Sequence, residues 1–215
     1  MAEKQDNYVY SIKKGEEHRT SIEVQRSVKY GIREFFKNRD QVINLILTMF
    51  LWFFTIMSYE INDYYGGWFP GDYYQYFMTI SFHEMLAYIA ADYIFESFKT
   101  KKTTKLFLLS YTICLVGSIT IMVNDEKEYP VIDMIGQFIC KFGIACAYQG
   151  CYLATVLFPI IFASTTFGAG ITMSSVSAFC SIYIIYDFET KWPWYVFIGS
   201  CLLGIICCLL LRDKN

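Results

Sequence analysis

The amino-acid sequence predicts an all-α membrane protein of six transmembrane helices preceded by a basic amphipathic helix at the membrane surface. Three observations carry this. The 215 residues are 55% apolar and 19% aromatic but only 18% charged, outside the usual composition of a soluble domain. The apolar residues gather into six stretches: Gln41–Tyr59, Gln75–Ser97, Thr104–Val123, Pro130–Leu157, Ile160–Tyr186 and Trp194–Leu211. Each runs to about 20 residues, enough to cross a hydrocarbon core of about 30 Å as a helix. Buried helices of soluble bundles rarely run so long without a polar stripe.

The third observation is where the charges sit. Nine of the 18 basic residues precede the first span, Lys99, Lys101, Lys102 and Lys105 separate the second from the third, and Arg212 and Lys214 follow the last. Only Lys127 and Lys191 fall in loops of the opposite side, and Lys141 lies inside a span. This asymmetry predicts both termini on the same positive face, of cytosol or matrix type, and an even number of spans.

The organisation expected is a polar tail over residues 1–40 and a six-helix domain over 41–215. The long basic tail does not read as a cleaved secretory signal, and Glu16, Glu17 and Glu23 argue against an ordinary mitochondrial presequence, so sorting is expected to use an internal signal. Within the tail, Ser21–Arg39 sets apolar residues near helical spacing between Arg26, Lys29, Arg33, Lys37 and Arg39. Such a helix lies at the interface and meets phospholipid headgroups, anionic ones above all. The loop Asn62–Asp72 is rich in aromatics, glycine and proline, which suits a turn at headgroup level, and Trp192–Tyr195 does the same at the mouth of the last span.

Polar groups inside spans are the candidate functional residues, because each costs several kcal/mol unless paired or hydrated. Glu84 and His83 fall near the middle of the second span, and Lys141 falls in the fourth between Gln137 and Gln149. Glu84 and Lys141 suit a buried pair or contacts for an ionic solute; the alternative is that Asp92 and Glu96 reach the headgroups while Lys141 snorkels or binds a neighbouring carbonyl. His83, alone in its span, suits a packed polar residue better than a ligand. Small residues in the fifth span, among them Gly168, Gly170, Ser174 and Ser175, suit close helix packing. The eight cysteines all fall within spans without a C-x-x-C pair, so they read as small packing residues and not as a disulfide or metal framework. Hydrolase, nucleotide-binding and zinc-protease signatures are missing from the sequence, so no enzyme activity, cofactor or metal is expected. The basic tail is accounted for by topology, and no nucleic-acid partner is expected.

The run from Ile135 to Ile144, IGQFICKFGI, and the run from Tyr152 to Pro159, YLATVLFP, resemble the tenth helix and following loop of the organic cation and anion transporters, a branch of the major facilitator superfamily. Phe82 to Tyr88 is similar to that branch's V-E-I-P-A-Y stretch, and Arg33 to Arg39 to the basic approach to its seventh helix. The ending Leu211 to Asn215 is similar to its P-E-T-K-N. The resemblance covers roughly residues 30 to 215 and implies the C-terminal six-helix half of a twelve-helix transporter.

The departures fall on charges. Val156 stands at the motif's glutamate, Ala163 at its arginine, Ser97 and Lys99 at a loop arginine and glycine, and Ser175 where ion-binding members carry a charge. One half alone does not enclose a pathway. The expectation is therefore a transporter-derived half without autonomous transport, serving as an accessory subunit among other membrane subunits. A respiratory assembly of the mitochondrial inner membrane, where cardiolipin would be the anionic lipid, is the suggested setting. The alternative is a half-size transporter of small organic ions that works as a dimer or with a separate first half.

Overall fold

The structure, a computed structural model, describes residues 35–66, 73–124, 130–187 and 192–212. Of the surface helix expected over Ser21–Arg39, all but the last few residues lie outside the described ones, Arg26, Lys29 and Arg33 among them. The described part is all-helical, with no strand. Six long helices follow one another: α1 (Arg39–Gly66), α2 (Tyr73–Ser97), α3 (Lys102–Val123), α4 (Pro130–Leu153), α5 (Ile160–Asp187) and α6 (Trp192–Leu210). A 3₁₀ turn, Ala154–Leu157, ends α4. Five of these stretches are long and apolar enough to cross a membrane: Arg39–Tyr64, Lys102–Val123, Val131–Leu157, Phe162–Tyr186 and Trp192–Leu210. Helix α2 has the length but carries His83, Glu84, Asp92 and Glu96.

The chain divides into two units, residues 1–42 and 43–215. In the first, Phe35 and Phe36 meet edge to face with ring centroids 5.6 Å apart, and the Asn38 side chain accepts from the Asp40 N–H at 3.2 Å. Asn38 thus acts as the N-cap of α1, and Asp40 in the first turn suits the positive end of the helix dipole. Lys37 and Arg39 are exposed.

In the second unit, contacts fix how the helices run. Asn44 on α1 and Arg212 after α6 exchange two hydrogen bonds, of 2.9 and 3.1 Å, and the Ser58 and Ser200 hydroxyls meet at 2.5 Å, so α1 and α6 are antiparallel. Helix α4 lies antiparallel to α3, with Gly143 against Ser110 and Cys114 and Gly136 against Gly117. The Cys114 and Cys140 thiols each donate to the other's carbonyl, at 3.7 and 3.5 Å. Helix α4 is also antiparallel to α1, where Asp63 meets Lys141 and Thr55 meets Cys151. It runs parallel to α2, since Ala87 meets Cys146 and Asp92 meets Gln149.

Helix α4 is therefore the centre of the bundle, and half of its most apolar stretch is buried against 17% for α5. One apolar core joins α1, α3, α4 and α6 through Leu51, Trp52, Phe107, Tyr111, Ile144 and Phe197, and a smaller one joins α2 to α3 and α4 through Ala87, Ala91, Phe95, Leu106 and Ala145. All eight cysteines are free. Several donate across helix contacts: Cys146 to the Ala87 carbonyl at 3.4 Å, Cys151 to the Thr55 hydroxyl at 3.7 Å. Their small size lets the backbones approach, and their thiols find weak acceptors there.

Candidate functional site

Helix α1 continues past Tyr59 to Gly66, so Asn62 and Asp63, expected in a loop, are helical. Helical spacing then sets Tyr59 and Asp63 one turn apart on the side that faces α4. Asp63 Oδ1 lies 2.5 Å from the Lys141 ammonium, whose side chain is 1% exposed. The same ammonium sits 3.5 Å from the centre of the Tyr59 ring and 3.9 Å from Glu84 Oε2. The Tyr59 and Tyr88 hydroxyls both donate to Glu84 Oε1, at 2.6 and 2.5 Å. Two carboxylates, one ammonium and two tyrosines from α1, α2 and α4 thus form one cluster.

Its chemistry follows from these contacts. The ring face of Tyr59 and the Asp63 carboxylate replace the water that Lys141 loses on burial. Glu84 is turned so that one oxygen is satisfied by two phenols and the other faces the ammonium. Asp63 and Glu84 are 34% and 20% exposed, so the carboxylates remain reachable while the ammonium is enclosed. The expected Glu84–Lys141 pair is present, but Asp63 is the nearer partner.

Aromatic rings extend the cluster along α4. Tyr148 lies 5.8 Å from Tyr59 and 6.4 Å from Tyr88, centre to centre, and its hydroxyl meets that of Tyr152 at 2.9 Å. Trp52 contacts Tyr148, Tyr152 and Phe167 edge to face. Gly170 makes room for Trp52, since a Cβ there would come within 2.6 Å of the indole nitrogen. The other small residues of α5 differ. Gly168 has no atom within 4 Å of where its Cβ would be, and Ser174 and Ser175 return their hydroxyls to the carbonyls of Gly170 and Ile171. Of the two glycines, Gly170 alone is packed tightly within the chain.

The remaining candidates lie around the cluster and outside it. His83 stacks on Phe138 with ring centres 4.5 Å apart, and its Nδ1 is 2.7 Å from the Thr79 carbonyl oxygen, a packed position. Gln149 Nε2 donates to Asp92 Oδ1 at 3.0 Å and ties α4 to α2. Gln137 is buried one turn before Lys141. Among the described residues, no three His, Cys, Asp or Glu side chains are grouped to hold a metal ion.

Tyr59 offers a separable test of the ring and the hydroxyl. Tyr59→Phe keeps the ring over Lys141 and removes one donor to Glu84, and is expected to lower unfolding stability in detergent by about 1.5 kcal/mol. Tyr59→Leu removes the ring as well and is expected to cost about 1 kcal/mol more. Equal losses for the two variants would show that the ring face contributes nothing to holding Lys141.

Compared with protein-family models and with curated proteins, the chain matches none.

Proposed function

We propose that the chain is a six-span bundle of the major facilitator type that works with a second bundle, and that Asp63, Glu84 and Lys141 line the path of a small ionic solute. The observation that supports this reading is the charge inventory of the cluster. Lys141 needs one carboxylate to be neutralised; a second lies 3.9 Å away, held by two phenols and partly exposed. Glu84 ties α2 to α1 through Tyr59, and its charge exceeds what neutralising Lys141 requires. A site that exchanges partners uses such a surplus, because the ammonium can pass from one carboxylate to the other as an ion enters or leaves.

Helix α2 is the sixth span in this reading. Its 25 residues make a helix of about 37 Å, longer than the hydrocarbon core, and its most central charge, Glu84, faces Tyr59, Tyr88 and Lys141. Six spans and the clustering of Lys and Arg then put both termini on the basic side.

The test is uptake of a panel of small organic cations and anions by liposomes that contain the purified chain, alone or with its co-isolated partner. Uptake is expected, and Glu84→Gln combined with Lys141→Met is expected to lower it by at least tenfold. Uptake that survives both substitutions removes the cluster from the path.

A second reading, an accessory subunit of a larger membrane complex, is favoured by α5. Its outward face includes the small residues Ser164, Gly168, Thr172 and Ser175, and a surface of that kind suits another helix. Mass measurement after isolation in mild detergent separates the two. A homodimer or a pair of six-helix chains fits the transport reading, and co-migration with many unrelated subunits fits the accessory one.

A further inference from the structure

The turn from α2 to α3 holds four lysines, Lys99, Lys101, Lys102 and Lys105, within seven residues. Lys99, Lys101 and Lys105 are exposed, and Lys102 is half-buried. The Lys102 ammonium bonds Glu96 at 3.2 Å and lies 5.4 Å from the centre of the Phe95 ring, and the Lys105 ammonium lies 5.5 Å from that of Phe98. Both distances are within cation–π reach, so these two side chains lie back over the end of α2. The concentration of charge runs against what a helix start prefers. The positive end of the α3 dipole favours Asp or Glu in the first turn, and α3 has none there. Its N-cap, Lys101, has no side-chain oxygen to accept from the first N–H groups. Lys101 also takes a left-handed backbone, φ 52°, the only positive φ among the described residues, and its β-carbon makes that conformation costly.

A further cation stands at the same level. Helix α4 is antiparallel to both α1 and α3, and α6 is antiparallel to α1, so α3 and α6 run in opposite directions. They touch where a Cβ at Gly204 would come within 2.6 Å of the Tyr111 ring. Nine residues back along α3 from Tyr111 is Lys102, and eight onward from Gly204 is Arg212, so the two lie within about a turn of one level. Arg212 is exposed, and its backbone is tied to Asn44. Lys102–Val123 and Trp192–Leu210 are both long and apolar enough to cross a membrane, so Lys101, Lys102 and Arg212 stand where the hydrocarbon stops. Glu96 offsets one of these charges and the rest are left to an anion at headgroup level.

The surface below the lysines suits the rest of a lipid. Leu109, Val116, Ile119 and Val123 follow Lys105 at helical spacing, and all four are exposed. Lys105 thus heads an apolar stripe that runs the length of α3. We propose that the α2–α3 turn is a binding site for an anionic phospholipid. The headgroup phosphate meets Lys101 and Lys105, with Lys99 and Arg212 adding to the local positive field, and an acyl chain lies along the stripe. A free phosphate would use the charges and leave the stripe idle. The proposal is independent of the transport reading, since the site lies at one end of the bundle and faces the lipid.

The test is native mass spectrometry of the purified full chain in a neutral detergent, titrated with phosphatidylglycerol and, separately, with phosphatidylcholine. Phosphatidylglycerol is expected to bind the more tightly. Lys101→Gln with Lys105→Gln is expected to weaken it about fivefold for each charge removed and to leave phosphatidylcholine unaltered. Both lysines are exposed, so the double variant is expected to keep the unfolding midpoint of the unaltered chain. Removing the same charge from the tail, by Arg26→Gln with Lys29→Gln, is expected to leave the affinity for phosphatidylglycerol where it was. Equal affinity for the two lipids overturns the proposal. An equal loss in the turn and tail variants also overturns it, since the attraction then belongs to the basic charge of the chain as a whole. Inorganic phosphate that displaces phosphatidylglycerol at matched concentration overturns it as well, because the stripe below Lys105 then contributes nothing.

Discussion

Asp63→Asn is expected to destabilise the bundle by about 3 kcal/mol, the lower end of what is lost when one partner of a buried ion pair is removed. The loss is large because the stranded group is Lys141, 1% exposed, with no water to fall back on. It stays at the lower end because Glu84 Oε2 lies 3.9 Å from the ammonium and can take over part of the pairing. Lys141→Met is expected to be milder. It leaves two carboxylates that are partly exposed, one of them bonded to two phenols, so both keep favourable partners. The double variant Asp63→Asn with Lys141→Met should therefore be more stable than Asp63→Asn alone, with a coupling of about 1–3 kcal/mol. Unfolding titrations of the four proteins in one detergent measure this directly. Additive effects, or an unaltered midpoint for Asp63→Asn, would mean that Lys141 finds its counter-charge elsewhere.

The sequence made the helices legible because a membrane helix must satisfy its own backbone over a long apolar run, and such runs stand out without any tertiary knowledge. Lys141 was legible for the same reason, as a charge set in apolar surroundings. Asp63 was not. Asparagine, glycine, proline and a dense set of aromatics between residues 62 and 72 read as a turn, whereas the helix continues to Gly66. The signal that was present is the spacing of Tyr59 and Asp63, one turn apart, which matters only if the helix goes on. Tertiary pairing overrides the local preference there, since Asp63 is held in the helix by its bond to α4. The small residues of α5 show a second limit. Gly168 and Gly170 look alike in sequence, and only the direction of each Cβ separates a residue under Trp52 from one facing outward. His83 reads in the sequence as a packed polar residue, but its partner Phe138 does not show there, because the stack joins residues from two helices.

Gly143→Leu is expected to be the most disruptive single substitution in the second unit after loss of the Asp63–Lys141 pair. A Cβ at Gly143 would sit 2.8 Å from the Ser110 carbonyl oxygen and 2.9 Å from the Cys114 backbone nitrogen. Both are main-chain atoms of α3, so no side chain can turn aside, and the two helices must separate. Gly199 is the internal control. No atom lies within 4 Å of where its Cβ would be. Gly199→Ala should stay within about 1 kcal/mol of the unaltered chain, and Gly143→Leu should exceed the usual overpacking loss of about 1–3 kcal/mol. The effect should reach the cluster, because Lys141 lies two residues before Gly143 and any outward shift of α4 draws the ammonium away from Asp63. Solute uptake should fall together with the unfolding midpoint in Gly143→Leu and stay near that of the unaltered chain in Gly199→Ala. A Gly143→Leu protein that unfolds at the unaltered midpoint would show that α3 and α4 do not meet backbone to backbone at this crossing.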